Sequence, residues 1–259
     1  MKLQIVPARQ GVQWVKLGIR TFFKQPLALS GLFFMFMAVM SVLSMVPILG
    51  NALALALLPG ATLGLMAATQ ETSKGNFPMP MVLLSAFRAG KQQMRAMLAL
   101  GGLYALGFLL VLALSAVFDG GKFAKLYLVG GTMSAELLQD GDFQSAMLVS
   151  MALYMPLSLL FWHAPALVHW HGLPPVKSLF FSLVACVRNF WAYTVYGLVW
   201  LGVFLGAGML AAAIAAISGN AEVVAAILFP TAMLMAAMFF TSIYFTFRDS
   251  FEFTPGDTP

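Results

Sequence analysis

Charge is scarce in this sequence. Only 9% of its 259 residues are Asp, Glu, Lys or Arg, while 61% are hydrophobic. Soluble domains carry about 25% charged and about 45–50% apolar residues, so a water-soluble fold is excluded. Disorder is excluded by the same figures, because disordered chains are poor in apolar residues and rich in charge. Cysteine is almost missing: the single Cys186 cannot close an internal disulfide, and a buried, inert thiol is expected there. Walker loop, nucleotide fingerprint, metalloprotease helix and nucleophile elbow are all absent, and no lipidation motif appears at either end. The basic start is not followed directly by the apolar stretch and small-residue cleavage site of a secretory signal.

What fills the chain is long runs without charge. Between Lys24 and Glu71 lie 46 uncharged residues, about 69 Å as one helix at about 1.5 Å per residue. One crossing of a bilayer takes about 20 residues, so this run must fold back, with Pro47, Gly50 and Asn51 as the turn. Two spans are predicted there, at 27–46 and 51–70. The run from Ala96 to Phe118 makes a third. The fourth is predicted at 145–169, ended by Gly172, Pro174 and Pro175. The runs 189–221 and 223–247, separated at Ser218-Gly219-Asn220, make the fifth and sixth.

The loops predict the orientation. Lys2, Arg9, Lys16, Arg20, Lys24, Lys74, Arg88, Lys91, Arg95, Lys177, Arg188 and Arg248 share one face, and only Lys122 and Lys125 lie on the other. By the positive-inside rule both termini are expected in the cytoplasm. The basic side chains Arg9, Lys16, Arg20, Lys24, Arg88, Lys91, Arg95, Lys177 and Arg188 are candidates for contact with anionic lipid headgroups, at about 1 kcal/mol each near the surface. They do not read as a nucleic-acid site.

Three cytoplasmic segments are amphipathic, over 9–24, 78–95 and 174–189, and each reads as an interfacial helix. In the first, Arg9, Gln13, Lys16 and Arg20 oppose Val12, Val15, Ile19, Phe22 and Phe23. Each precedes a hairpin of two spans, at 27–70, 96–169 with an outer loop 119–144, and 190–247, followed by a cytoplasmic tail 248–259. Pro59, Pro156 and Pro230 fall early in the second span of each pair, 35, 61 and 42 residues after the entry charges Lys24, Arg95 and Arg188. Removing the 26-residue outer segment from the middle unit restores 35. This rhythm predicts a threefold tandem repeat of interfacial helix plus helical hairpin.

Candidate chemical sites are few. His163, His169 and His171 cluster beside Trp162 and Trp170, and neutral imidazole is a common metal ligand. Six residues turn about 600° round a helix, so His163 and His169 face different ways, and an interfacial aromatic belt is the competing reading. Pro59, Gly60, Pro156, Pro165 and Pro230 could break helices and line a cavity with freed carbonyls, or simply kink them. No span carries a charge away from its ends, which argues against ion-coupled transport. Gly60 and Gly64, and Gly202 and Gly206, are spaced for close helix packing within or between chains.

The stretch Trp162-His163-Ala164-Pro165-Ala166-Leu167, with Pro175-Val176-Lys177-Ser178-Leu179-Phe180 and Ala185-Cys186-Val187-Arg188-Asn189, resembles a group of uncharacterised proteobacterial inner-membrane proteins. The layout is more loosely similar to the YciC-like envelope proteins. The resemblance implies a six-helix protein of the bacterial inner membrane and brings no catalytic residues. The fold expected is all-α and polytopic. The function expected is that of a non-enzymatic, lipid-interacting or scaffolding component, without a cofactor. Its expected partners are membrane lipids, anionic headgroups on the cytoplasmic face, and membrane proteins or further copies of the chain. The alternatives are a transporter or channel for a small neutral or apolar solute, and a haem- or metal-binding redox subunit.

Overall fold

A computed structural model describes residues 2–46, 49–218 and 221–252. Pro47, Gly219, Asn220 and the tail from 253 onward, named above as turn and terminus, lie outside the described residues. Among the described residues, six helices are long and apolar enough to cross a bilayer. They are α2 (Pro26–Ser44), α3 (Gly50–Lys74), α5 (Lys91–Asp119), α8 (Gly141–Phe161) continued by α9 (Ala164–His171), α11 (Phe190–Ser218) and α12 (Ala221–Ser250). Apart from the break between α8 and α9, each closes its backbone hydrogen bonds within itself, as hydrocarbon demands. Leu27, Leu53, Leu106, Leu148, Leu205 and Phe229 stand exposed, at least one on each span. Such surface is stable only against lipid. The protein is all-α and polytopic.

The shorter helices are α1 (Gln10–Phe22), α4 (Ser85–Arg88), α6 (Lys122–Val129), α7 (Ala135–Gln139) and α10 (Pro175–Arg188). The second amphipathic segment is not the single helix predicted over 78–95. It is a 3-10 turn over Pro80–Leu84, the one turn of α4, and a break at Gly90, whose φ of 117° suits glycine alone. Pro80 starts that 3-10 turn, and α5 begins at Lys91, so Lys91 and Arg95 ride on the first turns of a span. The segment 119–144, predicted as an outer loop, is likewise more than a loop, since it holds α6, α7 and the start of α8.

The chain forms two compact units. The first contains Met1–Met37, Ala61–Ser85 and Val184–Pro259. Here α1 packs along α11 and α12. Its buried face carries Gly11, Trp14, Val15, Gly18, Thr21 and Phe22. Of the apolar face that periodicity predicts, Val15 and Phe22 are buried here, Val12 and Ile19 are half-buried, and Phe23 is exposed. The glycines explain the difference: a Cβ on Gly11 would lie 2.3 Å from the Ala192 carbonyl oxygen, and one on Gly18 2.3 Å from Ser242 Cβ. Backbones approach there too closely for any larger residue. Trp14 fills the space between them, its ring 5.1 Å from Tyr193 and 6.0 Å from Tyr196.

Polar atoms complete this unit. Strand β1 (Lys2–Leu3) pairs antiparallel with β2 (Phe251–Glu252). Asn189, buried between α10 and α11, accepts from the Val6 N–H at 2.8 Å and donates Nδ2 to the Gln4 carbonyl at 3.0 Å. One Asp249 oxygen accepts from Gln10 Nε2 at 2.7 Å and Trp14 Nε1 at 3.0 Å. The other accepts from Arg248 Nε at 2.7 Å. Cys186 is buried beside Tyr193, and burial pushes its thiol up to about 12, so it stays un-ionised at neutral pH.

The second unit contains Ala38–Gly60 and Ala86–Leu183. Its centre is the α5 and α8 pair. Gly101 lies against α3 so closely that a Cβ would sit 1.8 Å from the Ala56 carbonyl oxygen, and Gly107 receives Leu157. Phe108, Val111, Leu112 and Leu157 form the buried cluster between the helices.

Candidate functional site

The nine basic residues proposed as headgroup contacts are all exposed. Lys16 and Arg20, four apart, share one side of α1, and Lys91 and Arg95 do the same on α5. Arg9 precedes α1, Lys24 follows it, Arg88 closes α4, and Lys177 and Arg188 lie near the two ends of α10. On α1 the opposite side is the one fixed by Gly11, Trp14 and Gly18. The charged side is therefore held at a set angle and does not roll as a loosely attached interfacial helix would.

The prolines divide into two kinds. Pro59, Pro156 and Pro230 lie inside α3, α8 and α12, which continue through them. Pro165 marks a real break, between α8 and α9 at Trp162 and His163. In an unbroken helix the His163 N–H would bond the Leu159 carbonyl. Instead Ser182 of α10 stands between them, accepting from His163 N at 2.9 Å and donating to the Leu159 oxygen at 2.8 Å. A hydroxyl inserted into the ladder is a recognised cause of a kink, and here it satisfies the groups that the break exposes. Ser182→Ala should lower stability by about 1–3 kcal/mol, because two buried backbone groups lose the bond that the hydroxyl makes to each. Ser158→Ala, which removes a bond within its own helix to Met155, should change it by less than about 0.5 kcal/mol. Thermal unfolding in detergent compares the two.

The histidines are separated by the same break. His163 is fully buried at the kink, while His169 and His171 lie half-buried in the last turn of α9. Among the described residues, no three His, Cys, Asp or Glu side chains gather closely enough to hold a metal ion. Trp170 is buried as well, so an interfacial belt describes neither it nor His163; both are packed inside the protein.

The glycine pairs also behave differently. A Cβ on Gly60 would meet the Phe87 ring at 2.7 Å, and one on Gly64 the Leu83 backbone at 2.7 Å, so both serve contacts within the chain. Gly202 and Gly206 lie open on α11, where a Cβ would meet nothing within 4 Å.

The segment 119–144 carries the organised constellation that sequence reasoning missed. Buried Asp119, at the end of α5, accepts from the Gly121 N–H at 2.8 Å and the Phe123 N–H at 2.6 Å, which sets the start of α6. Asn51 of α3 donates Nδ2 to the Leu128 carbonyl at 2.5 Å, which fixes its end. Lys122 pairs with Asp140. Their hydrogen bond holds Asp140 below the usual carboxylate range and Lys122 above the usual lysine range. The pair is thus fully charged at neutral pH. It weakens in acid only as Asp140 protonates. The sequence signal was Asp119-Gly120-Gly121, a carboxylate followed by residues free to turn.

Comparison with known proteins agrees with this architecture. A probable inner membrane protein of Burkholderia thailandensis is 39% identical over 254 residues, covering 97% of this chain and 94% of that protein. The chain belongs to that protein's family. It is a multi-pass protein of the bacterial inner membrane. No protein-family model matches it, and no solved structure does.

Proposed function

We propose that this inner membrane protein is a non-enzymatic component that binds anionic lipid headgroups at its cytoplasmic face and serves as a scaffold for neighbouring membrane proteins. Both termini lie in the cytoplasm in this reading. The observation that carries it is the seating of α1, whose glycine-lined side is packed against α11 and α12 while Lys16 and Arg20 point away. A rigidly held pair of cations loses less freedom on meeting a phosphate than a mobile pair does. Lys91 and Arg95, on the first turns of a span, extend the same chemistry to a second helix.

The test is thermal unfolding in nanodiscs of phosphatidylcholine, with and without phosphatidylglycerol. The anionic lipid should raise Tm in the native chain, and neutralising Lys16, Arg20, Lys91 and Arg95 to glutamine should abolish most of that rise. An equal rise in the neutralised chain would remove the basis for the proposal.

A further inference from the structure

A pocket of about 220 Å³ opens in the second unit between α5, α6 and α8. Phe108, Leu112, Phe123, Tyr127 and Tyr154 make its wall, with Ser150 among them. The aromatic rings pack on one another, Phe108 lying 5.3 Å from Tyr127 and 6.0 Å from Tyr154. The α6 side is fixed by Asp119 and Asn51, so the wall is built rather than accidental. Met151, which also lines it and belongs to a helix long and apolar enough to cross a bilayer, is largely exposed, so the pocket is open at the surface of that helix. Ser150 lies nine residues into α8, about 14 Å along the helix from its first residue, within the helix long and apolar enough to cross a bilayer.

Ser150 is the decisive group. Its residue is 6% exposed, and its Oγ is buried with no hydrogen-bond partner. Other hydroxyls in these helices bond back to their own helix, as Ser145 does to Gly141 and Ser115 to Leu112. The Tyr154 hydroxyl already lies 3.3 Å from that of Tyr104. A lipid acyl chain in the pocket would leave the serine unmatched. A cavity of about 150 Å³ is known to accept benzene, so this one has room for one ring with small substituents. From these features we infer that the pocket binds a compact amphiphile dissolved in the bilayer, a single-ring or similar apolar body with one hydroxyl or carbonyl that meets Ser150. This is independent of headgroup binding on the cytoplasmic side.

Photolabelling of the full chain in nanodiscs with a diazirine derivative of benzyl alcohol tests it. Labelling should saturate and map to residues 121–129 and 147–155. Thymol should displace the label, and para-cymene, the same body without the hydroxyl, should do so about tenfold less well. Ser150→Ala should erase that difference, and Met151→Trp, a change at an exposed position, should block labelling. Labelling spread over the lipid-facing helices without saturation would overturn the proposal. So would saturable labelling elsewhere, equal displacement by the two competitors, or a difference that survives Ser150→Ala.

Discussion

Gly101→Ala should destabilise the protein by about 3 kcal/mol, near the upper end for overpacking, because the added carbon has no space to enter. It would fall 1.8 Å from the Ala56 oxygen and 2.9 Å from its carbon, both backbone atoms that no rotamer change can move. The only relief is to part α5 from α3. Gly202→Ala offers the contrast, since nothing stands within 4 Å of the new carbon. It should unfold as the native chain does, or slightly later through the higher helix propensity of alanine. Thermal unfolding in detergent, read by tryptophan fluorescence, separates the two. If Gly202→Ala instead altered the size of the purified particle, that glycine would belong to a contact between copies.

Asp249→Ala should release α1 from its seat. The variant strips the acceptor from the Trp14 indole, which is fully buried, and from Gln10 and Arg248. A buried donor left without a partner costs about 1–3 kcal/mol. Hydrogen exchange over residues 10–22 should quicken, while α5 and α8, in the other unit, should keep native protection. Asp249→Asn retains one acceptor oxygen and should fall between. Unchanged exchange in the alanine variant would show that glycine packing alone holds α1.

How much of this was legible beforehand follows from range. Lipid tolerates neither charge nor open backbone, so the gaps between Lys24, Glu71, Arg95 and Arg188 marked the spans from local composition. The seat of α1 was not legible in the same way. Its partners Asn189 and Asp249 lie 183 and 239 positions from Val6 and Gln10, and nothing near those residues announces them. Periodicity found an amphipathic helix there and placed Val15 and Phe22 on its inner face, but it passed over Gly11 and Gly18, which count as neutral although they are the points of closest approach. In the segment 78–95 the signals were present in Pro80 and Gly90, and the apolar spacing outweighed them. Asp119 read as one of five outer acids, whereas its burial and its two backbone donors make it a structural carboxylate. The inserted Ser182 hydroxyl required knowing that α10 folds back on the Pro165 break.

The pairing of β1 with β2 has a consequence for biosynthesis. Residue 3 must wait for residue 251 before its partner exists, and α1 must wait for α12. At ribosomal rates of about 5–20 residues per second, that delay is roughly 10–50 s. Throughout it the Trp14 side of α1 is without its native cover. The first helix to be made is thus among the last to be seated, and during that interval it is open to whatever insertion machinery or chaperone attends the nascent chain.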